Sequence, residues 1–289
     1  MMKKIMLLLA ASALIFVACD KEEVKQTFEE SDTGTLRVYI EHVADTVAPS
    51  HGSSGSGHLG RLSSGGHDTK GPFDIAVNKY VSAQGDTFGL TKLEYLLTDF
   101  FFTYEGEEYE AKNAALYIRQ DQVERSNEIN KTIELPVGAY SDLEFLLGLN
   151  DTENFTDSTS GELADAYNNG MIWAWNTGYK FARIEGSVKE NGVATVFPVQ
   201  HIGTTANKRD VSINETFQIN KDKVTELHIQ INVSELFKDV SLSTANGGHS
   251  GGGHAGRILT ATNDKGTIMD NLASALGTAH YIAPTNESN

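Results

Sequence analysis

The sequence predicts an all-β protein, an antiparallel β-sandwich with a few short helices and two inserted Gly/His-rich loops. Three observations support that fold class. Apolar and polar residues alternate with period two in many short runs rich in Val, Ile, Tyr and Phe. Clusters of Gly, Asn and Asp separate those runs, as turns between strands do. Two segments, 48–72 and 245–258, break the pattern with Gly, Ser and His and almost no core-forming side chains.

The first residues set an address. Met1 to Lys4 are a short basic segment, Ile5 to Val17 an apolar run, and Ala18-Cys19 follow. That order of charge, apolar stretch and small residue is a secretory signal, and the run is shorter than the roughly 20 apolar residues a membrane span needs. Phe16-Val17-Ala18-Cys19 resembles a bacterial lipobox, in which the cysteine becomes the lipidated first residue of the mature chain. Cys19 is the only cysteine, so a structural disulfide is excluded. Lys21-Glu22-Glu23 resembles a surface-export signal of bacterial lipoproteins. Residues 1–18 are therefore expected to be a signal peptide and 19–34 an acidic tether. The protein would then be an outer-membrane lipoprotein, facing the cell surface or otherwise the periplasm, and meeting the membrane through its lipid anchor.

The domain spans 35–289 on this reading. Leu36 to Val43 alternates as a half-buried strand does. Further strands are expected over Phe73 to Val81, Leu90 to Tyr104, Ala114 to Ile118, Lys131 to Leu135 and Asp142 to Gly148. Tyr179 to Val188, Val193 to His201, Val211 to Ile219 and Glu226 to Val233 complete the set. Asn191-Gly192, between two of these runs, is a strong hairpin signal. Helix is expected only over Ser160 to Tyr167, Val233 to Phe237 and Ile268 to Leu276.

Composition narrows the function. A formal charge of −16 argues against nucleic acid as a partner, since that partner calls for basic patches. It suits a solvated extracellular surface or one that concentrates cations. No HExxH, CxxC or phosphate-cradling loop occurs, so an enzyme is not expected.

Histidine stands out instead. Five of the nine, His51, His58, His67, His249 and His254, lie in the two Gly-rich segments. Gly57-His58-Leu59-Gly60-Arg61-Leu62 is echoed by Gly253-His254-Ala255-Gly256-Arg257-Ile258. Imidazole suits copper, zinc and nickel, and short His-rich tracts are a compositional sign of metal binding. The loops are therefore secondary metal candidates, for copper or for zinc or nickel. Soluble linkers with incidental histidines are the alternative.

Both tryptophans fall in Met171 to Gly186, which reads W-x-W-x-x-G-Y-K-F-x-R-I-E-G from Trp173. In an extended backbone Trp173 and Trp175 would share a face, as core or as a glycan-stacking platform. The stretch resembles the signature of the MbnP-like copper-binding proteins, which are linked to methanobactin and copper handling. Leu36 to His42 is similar to that family's first strand, Leu90 to Phe102 to a later one, and Pro198 to Gly203 to its H-x-G segment. The tail from Ile268 onward is similar too.

The resemblance implies a mononuclear copper site held by two histidines and a kynurenine made by oxidising a tryptophan, with a di-haem peroxidase of the MauG type as the oxidising partner. Carried over, His42 and His201 are the candidate imidazole ligands, and Trp173 or Trp175 is the residue modified. Kynurenine would offer an aromatic amine, whereas an indole N–H only donates. The expected function is thus copper capture by a lipid-anchored surface or periplasmic protein. The alternative is a metal-independent glycan- or ligand-binding surface lipoprotein.

Overall fold

The computed structural model describes residues 32–46, 69–75, 77, 79–112, 114–155, 161–173, 178–190, 193–196, 200–240, 242, 262–278 and 280–288. In chain order the strands are β1 (Thr33–Thr46), β2 (Thr69–Pro72), β3 (Tyr80–Val81), β4 (Thr87–Tyr104), β5 (Glu107–Glu110), β6 (Leu116–Asp121), β7 (Glu128–Pro136) and β8 (Gly138–Leu147). Two short helices follow, α1 (Asp151–Asn154) and α2 (Gly161–Asn168). Then come β9 (Lys180–Glu190), β10 (Val193–Val196), β11 (Gln200–Gly203), β12 (Arg209–Ile213), β13 (Phe217–Ile219), β14 (Lys223–Asn232), helix α3 (Thr262–Thr278) and β15 (His280–Ser288).

β1 is built by alternation. Leu36, Val38, Ile40, His42 and Ala44 are buried, while Arg37, Tyr39 and Glu41 between them keep partial exposure. It pairs antiparallel with β7 and parallel with β14, and β14 pairs with β15. The parallel pair departs from a purely antiparallel expectation. No hairpin constrains β1 and β14, because nearly the whole domain lies between them in sequence.

β4 organises the facing layer. Its first half runs between β6 and β9, and its second half pairs with β8 and β5. The switch falls at Asp99, where the register to β8 shifts and φ is +51°. β11 and β10 add to β9. The pairing of Glu190 with Val193 has the register of a two-residue hairpin, although residues 191 and 192 lie outside the described ones.

The core lies between the inward faces of β1–β14 and β4–β9, with Leu36, Ile40, Phe88, Tyr95, Phe102 and Phe181 essentially inaccessible. Each such side chain stabilises the fold by about 1.5–3 kcal/mol relative to exposure. β4 is also covered on its other face, where Glu94 pairs with Arg183 and Arg183 bonds the carbonyls of Asn169 and Gly170, while α2 packs on the neighbouring β6. Leu93, Glu94, Tyr95, Leu96 and Leu97 are therefore all buried, and the strict alternation is lost. α3 packs on β12 and β14 with Ile268, Met269, Leu272 and Leu276 inward.

Most expected strands are present; two expected helical patches fall in α2 and α3, and the third, Val233 to Phe237, forms only a 3-10 turn at Glu235–Phe237. Among the strands the run from Phe73 to Val81 is the exception, since only Tyr80–Val81 pairs as strand. Phe73 and Ile75 are buried from a loop whose Asp74 N–H donates to Tyr80 Oη at 2.6 Å. Their hydrophobicity reflects burial without a ladder. β2, β5 and β15 were not foreseen. β5 is almost entirely Glu and β15 is polar along much of its length, so neither shows apolar alternation. Among the described residues no helix is long and apolar enough to cross a membrane.

Candidate functional site

In the stretch that carries the tryptophans, Ile172 bridges to Tyr179 and β9 follows, and many of the described side chains have a traceable task. Gly178 adopts φ +102°, and a Cβ there would meet Asn154 Oδ1 at 2.8 Å, so only glycine fits. The same Asn154 Oδ1 accepts from Tyr179 N–H at 2.8 Å, tying the loop to α1. Lys180 turns its ammonium back under the loop, donating to Gly170 O at 2.6 Å and Ile172 O at 2.7 Å. Burial holds its pKa below the usual lysine value. Phe181 and Ile184 face apolar surroundings.

Arg183 anchors the same loop from the sheet. Its guanidinium bonds Asn169 O at 2.8 Å and Gly170 O at 3.3 Å, and it pairs with the fully buried Glu94. Tyr117 Oη donates to the other Glu94 oxygen at 3.0 Å. Removing one member of a buried pair like this strands the other charge, at a cost of about 3–5 kcal/mol. The loop at 169–173 is thus pinned by two cations to the outer face of β9.

That pinning sets Trp173 against His201. The two rings meet edge to face with centroids 6.1 Å apart, and Lys180 Nζ sits 5.4 Å from the centre of the indole. Trp173 N–H donates to Gly178 O at 3.2 Å. Two residues beyond His201, Gly203 leaves room for the indole edge. A Cβ there would lie 2.9 Å from Trp173 Nε1 and 2.6 Å from Tyr179 O. His201 is one-quarter exposed, and its Nε2 lies 2.9 Å from Glu185 Oε1. The hydrogen bond from His201 is the leading reason that the Glu185 carboxyl titrates below its usual range. Lys265 of α3 donates to the His201 carbonyl at 3.0 Å, which fixes β11 to the start of that helix.

His42 stands elsewhere. It is fully buried, with Nδ1 2.9 Å from Gln120 Oε1 and Nε2 3.0 Å from Tyr95 Oη. Gln120 Nε2 donates to Phe73 O and Arg125 O, so its Oε1 faces His42 as an acceptor. The proton therefore sits on Nδ1, and Nε2 accepts from Tyr95. Burial lowers the His42 pKa to about 4, keeping the ring neutral.

Strand alternation then separates the two histidines. His42 bonds Tyr95 on one face of β4. Glu94, the next residue, lies on the opposite face with Arg183, the partner of His201 across the β9–β11 ladder. The structure therefore brings Trp173 and His201 together and places His42 across the sheet from them.

Trp175, Cys19, His51, His58, His67, His249 and His254 lie outside the described residues. His228 lies on the outer face of β14, stacked on Tyr281 with centroids 4.5 Å apart. His280 lies on β15 with Nε2 3.7 Å from Glu215. Among the described residues no group of three or more His, Cys, Asp or Glu side chains forms a metal-ligating cluster. Sequence reasoning missed Glu185, Lys180 and Lys265. The first two stand in the tryptophan motif itself, but their partners emerge only from the β9–β11 register and the folded-back loop.

Among curated proteins none matches the chain. A solved structure, MbnP from Methylosinus trichosporium, is similar over 73% of this chain and 79% of that one, with 14% identity and a TM-score of 0.42. The family model described as MbnP matches residues 67–251, which is more than half of the sequence. The chain belongs to the MbnP family.

Proposed function

We propose that this chain is a lipid-anchored protein that captures copper outside the cytoplasm, at the outer face of β9 and β11. The observation that carries the reading is the packing of Trp173 on His201 inside the motif shared with the family. The donor chemistry fits in part. His201 has one ring nitrogen engaged by Glu185 and the other left for a metal, which suits an ion that favours imidazole. The indole of Trp173 offers no lone pair, whereas kynurenine formed from it would add an aromatic amine. In this reading Trp173, whose ring meets His201, is the residue oxidised by a di-haem peroxidase of the MauG type. His42, with both nitrogens bonded inside the core, acts as a structural residue in this reading.

Further imidazoles come from the histidines of the Gly/His-rich segments 48–72, which ends in β2, and 245–258. The second loop leads into α3, whose Lys265 touches the His201 backbone, so its histidines are tethered close by in sequence. The anchor is Cys19, and the acidic tether after it carries the domain to the cell surface or, failing export, into the periplasm.

The test is metal content together with intact mass on protein purified from its native host. Equimolar copper and the mass gain of a Trp-to-kynurenine conversion mapped to Trp173 are expected. Protein that holds no copper and takes up no added Cu(I) overturns the proposal.

A further inference from the structure

Resting on that reading, we infer that Glu185 is the positioning residue of the metal centre, holding His201 in the form that presents Nδ1 to the copper. The argument starts from roles. An ionised carboxylate only accepts, so the 2.9 Å contact between Glu185 Oε1 and His201 Nε2 requires the proton on Nε2. In the neutral ring the lone pair then sits on Nδ1. His42 shows the opposite arrangement, because its amide partner Gln120 takes the proton on Nδ1. Two histidines of one domain are thus set in opposite tautomers by their neighbours, and of the two only His201, on the outer face, has a ring nitrogen with no hydrogen-bond partner among the described residues.

The sheet fixes this pairing. His201 stands opposite Arg183 in the β9–β11 ladder, and Glu185 is two residues along on the same face, within diagonal reach. Glu185 in turn stands opposite Lys92 of β4. Both partners are only one-quarter exposed, so water competes weakly for their bond. A carboxylate on the second nitrogen orients a ligating imidazole and raises its basicity, and removal of such a partner costs about 10–100-fold in metal affinity. It also adds negative charge beside a site for a cation.

The experiment uses the full chain with Cu(I) competed against bicinchoninate, and 15N-histidine NMR of the metal-free protein, with the His201 signals identified by their loss in His201→Ala. Wild type should show His201 protonated at Nε2. In Glu185→Ala that preference should be lost and copper affinity should fall about 10–100-fold. Glu185→Gln keeps an acceptor for the same N–H, so it should retain the tautomer and lose less than Glu185→Ala. Glu185→Asp, which keeps the charge but is too short to reach, should resemble alanine in the NMR readout. An Nδ1-protonated His201 in wild type, or wild-type affinity in Glu185→Ala, overturns the inference while leaving copper capture standing. A wild-type chain with the Nε2 tautomer that takes up no copper overturns the function instead, and the inference with it.

Discussion

His42 is a neutral imidazole in a place where a charged one would be costly. Burial lowers its pKa to about 4, against 6.5 for a free histidine. As pH falls below 6.5 the unfolded chain takes up a proton that the folded chain refuses, so the native state loses stability until pH reaches about 4. Above 6.5 the contribution is complete, and below 4 it is gone. The loss over that window is on the order of 3 kcal/mol. Urea unfolding between pH 4 and 7 should show this slope in wild type and a flatter one in His42→Asn; equal slopes would contradict the assignment. Gly203 makes a second prediction. Gly203→Ala should push the Trp173 edge off His201, lowering the near-ultraviolet dichroism and weakening copper uptake while the β-sheet signal persists. An unchanged aromatic spectrum would mean that the close approach is unimportant.

The loop at 169–173 is held by backbone bonds to the end of α2 and to Gly178, and by two cations beneath it. Lys180 supplies two bonds to its carbonyls, and Arg183 supplies two more. Lys180→Met keeps the stem and removes the donors; Gly170 O keeps its bond from Arg183, so the loss falls on the Ile172 carbonyl, at about 1–3 kcal/mol. Hydrogen exchange at 169–173 should quicken in that variant, with the rest of β9 unaffected; unchanged protection would show that the loop holds itself. Strands with clean alternation, such as β1 and β14, could be foreseen from the sequence, because one face meets the core and the other meets solvent. β4 was recognisable by its length and hydrophobicity, but covering on both faces erased its periodicity. β5 and β15 carry no apolar repeat and owe their strand form to the neighbours they pair with. Trp173 and His201 were singled out by the resemblance to a family motif, and the structure brings their rings together. That His42 lies on the opposite face was not legible in the sequence, because it depends on the register of β4 against β9 and on the neighbours packed around Tyr95.

In the proposed function the molecule as a whole separates stability from capture. The core between β1–β14 and β4–β9 carries the hydrophobic burial together with the His42–Tyr95–Gln120 chain of hydrogen bonds. The outer face of β9 and β11 carries the half-exposed polar groups, His201, Glu185 and Trp173. Deleting residues 50–68 and 246–256 should therefore lower the number of metal ions bound while leaving the melting temperature of the sheet nearly unchanged. Full stoichiometry after deletion would remove the loops from the copper function.

The most direct measurement compares copper bound by purified His201→Ala and His42→Asn with that bound by wild type, alongside their thermal melts. If capture takes place on the outer face, His201→Ala loses the copper and melts as wild type does, whereas His42→Asn keeps the copper and melts lower. Loss of copper in His42→Asn with retention in His201→Ala would place the metal in the core and contradict this assignment.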